Sequence, residues 1–122
     1  MIKRIDIDGV HMEVGDDLRK YVTNKIGKLE KYVPRFARGS VHAEVKLKEG
    51  KLKAREQRTC EVILHLPHDI ITVSETTINM FAAVDIVEQK LKNQLHKYKE
   101  KHSGPKLRQR LMSRLKRQSL LA

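Results

Sequence analysis

At 122 residues the chain is one domain, or one domain with a tail, and with 39% apolar residues, 4% aromatics and no Trp it must fill one modest core with aliphatic side chains. Its 26 lysines and arginines against 15 acidic residues leave a net charge of +11, an imbalance that says nothing of fold but favours nucleic acid or another anionic surface. No stretch approaches the ~18 apolar residues of a transmembrane helix, the N-terminus lacks a signal-peptide run, and one cysteine, Cys60, cannot form an internal disulfide, so a cytosolic protein with no membrane partner is expected.

Residues 2–8 alternate as a short strand, with Ile5 and Ile7 on one face and Gly9 at its end. Asp16 or Asp17 is the expected cap of a helix that begins near Leu18. Leu18, Val22, Ile26, Leu29 and Val33 form its apolar side, and Pro34 stops it. Stepped at 100° per residue, Lys20, Lys28 and Lys31 cover an arc of about 80° beside that stripe. Lys25 falls inside the stripe and has to snorkel past the core edge.

Residues 40–48 alternate cleanly, with Val41, Ala43, Val45 and Leu47 inward, as a half-buried antiparallel strand does. Residues 49–58 read as a polar connection holding Gly50, Lys51, Lys53, Arg55 and Arg58. A strand over 59–66 puts Cys60, Val62, Leu64 and Leu66 on one face, Pro67, His68 and Asp69 make a turn, and 70–74 is the last strand. Residues 79–101 form a long amphipathic helix. Its apolar stripe is Met80, Phe81, Val84, Val87, Leu91, Leu95 and Tyr98, while Lys90, Lys97 and Lys101 lie within about 40° of each other on another face.

The order β-α-β-β-β-α predicts an α+β domain over 1–102: a mostly antiparallel four-stranded sheet with two helices packed on one face. Ser103-Gly104-Pro105 breaks the pattern, and 103–122 is a basic C-terminal tail. Residues 106–122 hold six basic residues and no acidic one, with Leu107, Leu111 and Leu115 at i+4 spacing. That composition suits a segment disordered alone and helical on an acidic partner.

No catalytic constellation can be assembled. Cys60 and His65 fall on opposite faces of one strand, His65-x-x-His68 lacks the second ligand pair of a zinc site, and Asp6 and Asp8 share an ordinary solvent face. Glycine-rich phosphate loops and a nucleophile elbow are missing from the sequence. The expectation is a protein that is not an enzyme, with no cofactor, metal or small-molecule substrate. What remains is basic surface: Lys20, Lys28 and Lys31 on the first helix, Lys90, Lys97 and Lys101 on the second, and the tail. If the helices lie side by side, the two lysine rows merge into one positive surface. With few aromatics to stack single-stranded bases, structured RNA read by backbone and shape fits better.

Two runs carry a family resemblance. Leu18-Arg19-Lys20-Tyr21-Val22 followed by Lys25-Ile26-Gly27-Lys28-Leu29-Glu30-Lys31-Tyr32 resembles the first helix of the ribosome hibernation-promoting factors, also called protein Y. Asn79-Met80-Phe81-Ala82-Ala83-Val84-Asp85, then Lys90-Leu91-Lys92-Asn93-Gln94-Leu95 and Lys97, resembles their second helix. The resemblance implies a factor that docks in the mRNA and tRNA channel of the small ribosomal subunit, contacts its rRNA, blocks translation and preserves idle ribosomes. By position it implies rRNA contacts from Lys25, Lys28 and Lys31 and from Lys90 and Lys97. Lys101 rests on the charge argument alone. The family often has an acidic-then-basic pair where this chain has Lys92-Asn93, so the contact of that basic residue is not expected from Asn93. Lys92 is a further candidate, although it projects about 100° away from that position. Asn79 and Phe81 stand where an acidic residue and a tyrosine are common. Long members carry a further domain that pairs ribosomes; the residues after Pro105 are too few for one, so a short form or a piece of a long one, monomeric off the ribosome, is expected. Two other readings of the same residues are a double-stranded RNA-binding module using residues 51–58 and a structural ribosomal protein.

Overall fold

The computed structural model describes residues 1–102. The expectations for the tail over 103–122 lie outside the described residues. The elements follow the predicted order: β1 (Arg4–Val10), α1 (Asp16–Gly27), two short 3-10 turns (Lys28–Tyr32 and Arg35–Ala37), β2 (His42–Leu52), β3 (Arg55–Leu66), β4 (Asp69–Thr77) and α2 (Met80–His102). The strands lie in the sheet order β1-β2-β3-β4. β1 runs parallel to β2, while β2, β3 and β4 pair antiparallel. A parallel pair needs a crossover, and α1 supplies it.

Alternation gives the sheet one apolar face. Ile7, Ala43, Val45, Leu47, Cys60, Val62, Leu64, Ile71 and Val73 are buried there beneath the helices. Met80, Val84, Val87, Leu91, Leu95 and Tyr98 of α2, with Leu18, Val22, Ile26 and Leu29 of the first helical stretch, complete one cluster. Burial pushes the Cys60 thiol up to about 12, as an inert core thiol requires. The Tyr98 hydroxyl donates to the Pro67 carbonyl at 2.8 Å and so ties the end of α2 to the β3–β4 turn. Among the described residues no helix is long and apolar enough to cross a membrane.

Four local expectations change. Gly15, not Asp16 or Asp17, occupies the cap position of α1; both aspartates sit in the first turn, where they favour the helix dipole without a capping bond. The first helix keeps α geometry only to Gly27 and then tightens into the 3-10 turn. At that point the Gly27 carbonyl accepts the Ile2 amide at 3.0 Å, and a side chain on Gly27 would meet Met1. The first residues of the chain therefore pack where a regular helix would present a side chain. The polar connection over 49–58 is instead a β-hairpin: β2 and β3 stay paired out to Leu52 and Arg55, and only residues 53–54 turn. Phe81 is 41% exposed rather than buried in the stripe, and rests edge-on against Tyr21 with ring centroids 5.0 Å apart. Asn79 does cap α2, its Oδ1 accepting the Phe81 amide at 2.9 Å.

Leu91 lies at the centre of the α2 stripe and is fully buried, whereas Ile86 on the same helix is 39% exposed. Chemical denaturation is expected to show Leu91→Ala losing about 2–5 kcal/mol of stability. Ile86→Ala should stay within about 0.5 kcal/mol of the parent. Equal losses would contradict the packing of α2.

Candidate nucleic-acid interface

The burial of α2 sets its rotation and sorts its lysines onto two flanks. Counting 100° per residue from Leu91, Asp85, Glu88, Lys92 and His96 face α1, while Lys90, Lys97 and Lys101 lie on the opposite flank above β4. The ion pairs agree with that division. Lys90 Nζ sits 2.5 Å from Glu75 of β4, and Lys101 Nζ sits 3.8 Å from Asp69. The lysine row predicted on α2 therefore does not merge with that of the first helix; the core stripe, once buried, points it the other way. Lys90 holds the Glu75 carboxyl below its ordinary range by a direct bond. Lys97 is exposed with no ion pair among the described residues.

The flank that faces α1 forms a cleft of about 260 Å³ lined by Lys25, Lys28, Leu29, Lys31, Tyr32, Glu88 and Lys92. Three observations explain how the sequence builds it. Residues three apart eclipse in a 3-10 turn, so the tightening after Gly27 aligns Lys28 with Lys31, about 6 Å apart along the axis. Arg38 donates to the Val33 carbonyl at 2.9 Å and to the Lys31 carbonyl at 3.4 Å, pinning that turn. Tyr32 presents its ring between two cations, with Lys92 Nζ 4.9 Å and Lys31 Nζ 5.2 Å from the centroid. A bond from Lys92, with the Lys31 and Lys92 charges, lowers the Tyr32 hydroxyl below its ordinary value.

Lys25 reaches the core edge as its position required and finds acids there. Its Nζ lies 3.6 Å from Asp85 and 3.9 Å from Glu88. The Tyr21 hydroxyl donates to the same Asp85 at 2.5 Å, and that bond, with burial and the two nearby carboxylates, pushes the phenol up to about 12. Lys25 is thus a clamp between α1 and α2 with its charge largely matched. Lys28, Lys31 and Lys92 have no ion pair among the described residues, although they converge on one cleft. Convergent, unmatched cations raise the local potential and favour an anion that can relieve their repulsion. Lys20 is exposed but does not line the cleft. Asn93 is exposed and accepts from Gln89 at 3.5 Å.

Tyr32, which lines the cleft, and Arg38, which holds its turn, are parts of the candidate site that sequence reasoning missed. Neither carries a charge-run signal, and Arg38 acts through backbone carbonyls that only the folded chain brings near. Asp85 and Glu88 were visible as an i, i+3 pair beside Lys92, a signal that the angle count registers once α1 is placed on that flank.

The family model described as "Sigma 54 modulation protein / S30EA ribosomal protein" matches residues 5–103. The chain belongs to this family. A ribosome hibernation promotion factor of Lactococcus lactis subsp. cremoris is 39% identical over 100 residues, covering 81% of this chain and 50% of that protein. One of Staphylococcus aureus is 29% identical over 96 residues, covering 79% and 48%. The chain thus spans about half the length of the curated relatives it matches. Among solved structures, the N-terminal domain of Thermus thermophilus protein Y aligns with a TM-score of 0.63 at 25% identity, covering 80% of this chain and 97% of its own. A ribosomal subunit interface protein from Coxiella burnetii aligns with a TM-score of 0.66 at 21% identity, covering 80% and 98%, a likeness of fold. The four-stranded mixed sheet with two helices is the fold of this S30EA chain and of both neighbours.

The three tyrosines of the chain offer a direct check on the cleft. Absorbance titration of tyrosinate is expected to show Tyr32 ionising first, below the ordinary phenol value of about 10, and Tyr21 near pH 12. Lys92→Ala should move the first step up, and Asp85→Asn should bring the last one down. Steps that ignore both substitutions would mean that these charges do not act on the rings.

Proposed function

We propose that this chain is a ribosome hibernation factor: a non-enzymatic, cytosolic protein that binds the small ribosomal subunit through its rRNA, occupies the mRNA and tRNA decoding channel, inhibits translation and preserves idle ribosomes. The observation that carries the reading is the α1–α2 cleft, where Lys28, Lys31 and Lys92 converge with no ion pair among the described residues, the one acid of the lining, Glu88, lying 3.9 Å from Lys25. The S30EA family and the names of its hibernation-factor relatives support the ribosome as the source of the polyanion. In this reading residues 1–102 are the ribosome-binding domain, and the protein is a monomer away from the ribosome.

The cleft lysines make the first contacts, with Lys25 holding the helices in register and Lys20 and Lys97 adding exposed charge around them. Lys90 and Lys101 exchange Glu75 and Asp69 for phosphate when the subunit is bound. Each phosphate contact contributes about 0.7–0.9 to the slope of log affinity against log salt. A factor held this way washes off ribosomes in high salt, unlike a structural ribosomal protein.

Sedimentation with vacant ribosomes and with ribosomes carrying mRNA and P-site tRNA tests the occlusion. Binding is expected to the vacant particles and to be lost on the loaded ones; equal binding to both sinks it. Lys28→Ala combined with Lys92→Ala should weaken binding and make the salt slope shallower by about two contacts. Unchanged affinity would leave those lysines as solvated surface.

A further inference from the structure

The β2–β3 hairpin extends past the rest of the sheet. β1 pairs with β2 no further than Lys48, and β4 pairs with β3 no further than Arg58. Beyond them the register Gly50↔Gln57, Lys51↔Glu56 and Leu52↔Arg55 continues with no neighbour on either side. At 3.3–3.4 Å per residue this ribbon reaches about 13 Å from the sheet. Residues 48–56 are all exposed, so no core burial accounts for it. A two-stranded ribbon gains little stability from its own ladder. Its turn adds strain: Lys53 and Ala54 hold φ of 53° and 65°, positions that Gly or Asn fill more easily.

The charges are arranged with the same economy. Arg58, at the root, lies 3.4 Å from Glu49 and 3.2 Å from Glu56, and donates to the Ile78 carbonyl at 2.9 Å. That one side chain occupies both acids of the hairpin and fastens its base to the residues leading into α2. Lys48, Lys51, Lys53 and Arg55 are left with no ion pair among the described residues, around the exposed Leu52. The result is a directed, basic arm whose residues 48–56 bury nothing in the core.

We infer that this arm is a second RNA-binding element, separate from the α1–α2 cleft, which lies along the shallow minor groove of an RNA duplex with Lys51, Lys53 and Arg55 on the bordering phosphates. The inference rests on the proposed reading that the partner is RNA. A-form RNA has a wide minor groove that admits such a ribbon and a major groove too narrow for side chains to read. Glu56 stands opposite Lys51 but is taken up by Arg58, and the remaining exposed cations favour phosphate over an acidic protein groove, because the ribbon offers no apolar face to bury beyond Leu52.

Cys60 is buried, so an introduced cysteine can be labelled alone in the full chain. A benzophenone attached through Leu52→Cys reports on the arm, and one attached through Asn24→Cys reports on the exposed side of α1. On irradiation with small ribosomal subunits, the arm probe is expected to crosslink to rRNA. Crosslinks to rRNA from α1 but none from the arm, or from the arm to protein alone, overturn the arm proposal and leave the cleft reading standing. Crosslinks from the arm alone support the arm and count against the cleft; none from either position overturns both. Independently, Lys51→Gln, Lys53→Gln and Arg55→Gln together should reduce the salt slope of subunit binding by about two to three. A slope equal to that of the parent chain overturns the assignment.

Discussion

The helix face of this protein depends on one constraint: α2 buries Met80, Val84, Val87, Leu91, Leu95 and Tyr98 against β3 and β4. A stripe this long fixes the rotation of the helix, because turning it by one residue would expose several of those side chains together. Rotation in turn assigns every charged residue on α2 to a flank. Lys92, Glu88 and Asp85 meet α1, while Lys90 and Lys101 meet acids on β4. The surroundings of each lysine on α2 therefore follow from side chains buried in the core.

The same packing separates structural charge from available charge. Lys25, Lys90, Lys101 and Arg58 all work within the fold, clamping α1 to α2, α2 to β4 and the hairpin root to the residues that lead into α2. These pairs are exposed or half-exposed, so each contributes modestly to stability. Their larger effect is on potential. They match charge where α1 meets α2, where α2 meets β4 and at the hairpin root, and leave Lys28, Lys31 and Lys92 at the cleft and Lys51, Lys53 and Arg55 along the arm without ion pairs among the described residues.

Much of the fold was legible because burial on one face of a strand leaves a period of two. Val45, Leu47, Cys60, Val62 and Leu64 all lie inward as alternation required, and Cys60 and His65 face opposite ways. Lys25 was legible as an anomaly, since a lysine inside an apolar stripe demands a route to the surface. The end of α1 was not, because Gly27 yields its carbonyl to Ile2, a contact across the chain that helix periodicity cannot register. Nor was the hairpin, whose exposed ribbon has no apolar alternation to mark it as strand.

The sequence by itself determined the order of elements, the apolar faces and the excess of positive charge, since each is written in local spacing and composition. Only the tertiary structure decided which cations act together. Local spacing places a lysine on a helix face, but whether that face meets an acid, an aromatic ring or open solvent depends on residues from distant parts of the chain. Lys90 beside Glu75 and Lys92 beside Tyr32 stand two positions apart in sequence, yet the packed helix gives the first a partner and aims the second into the cleft.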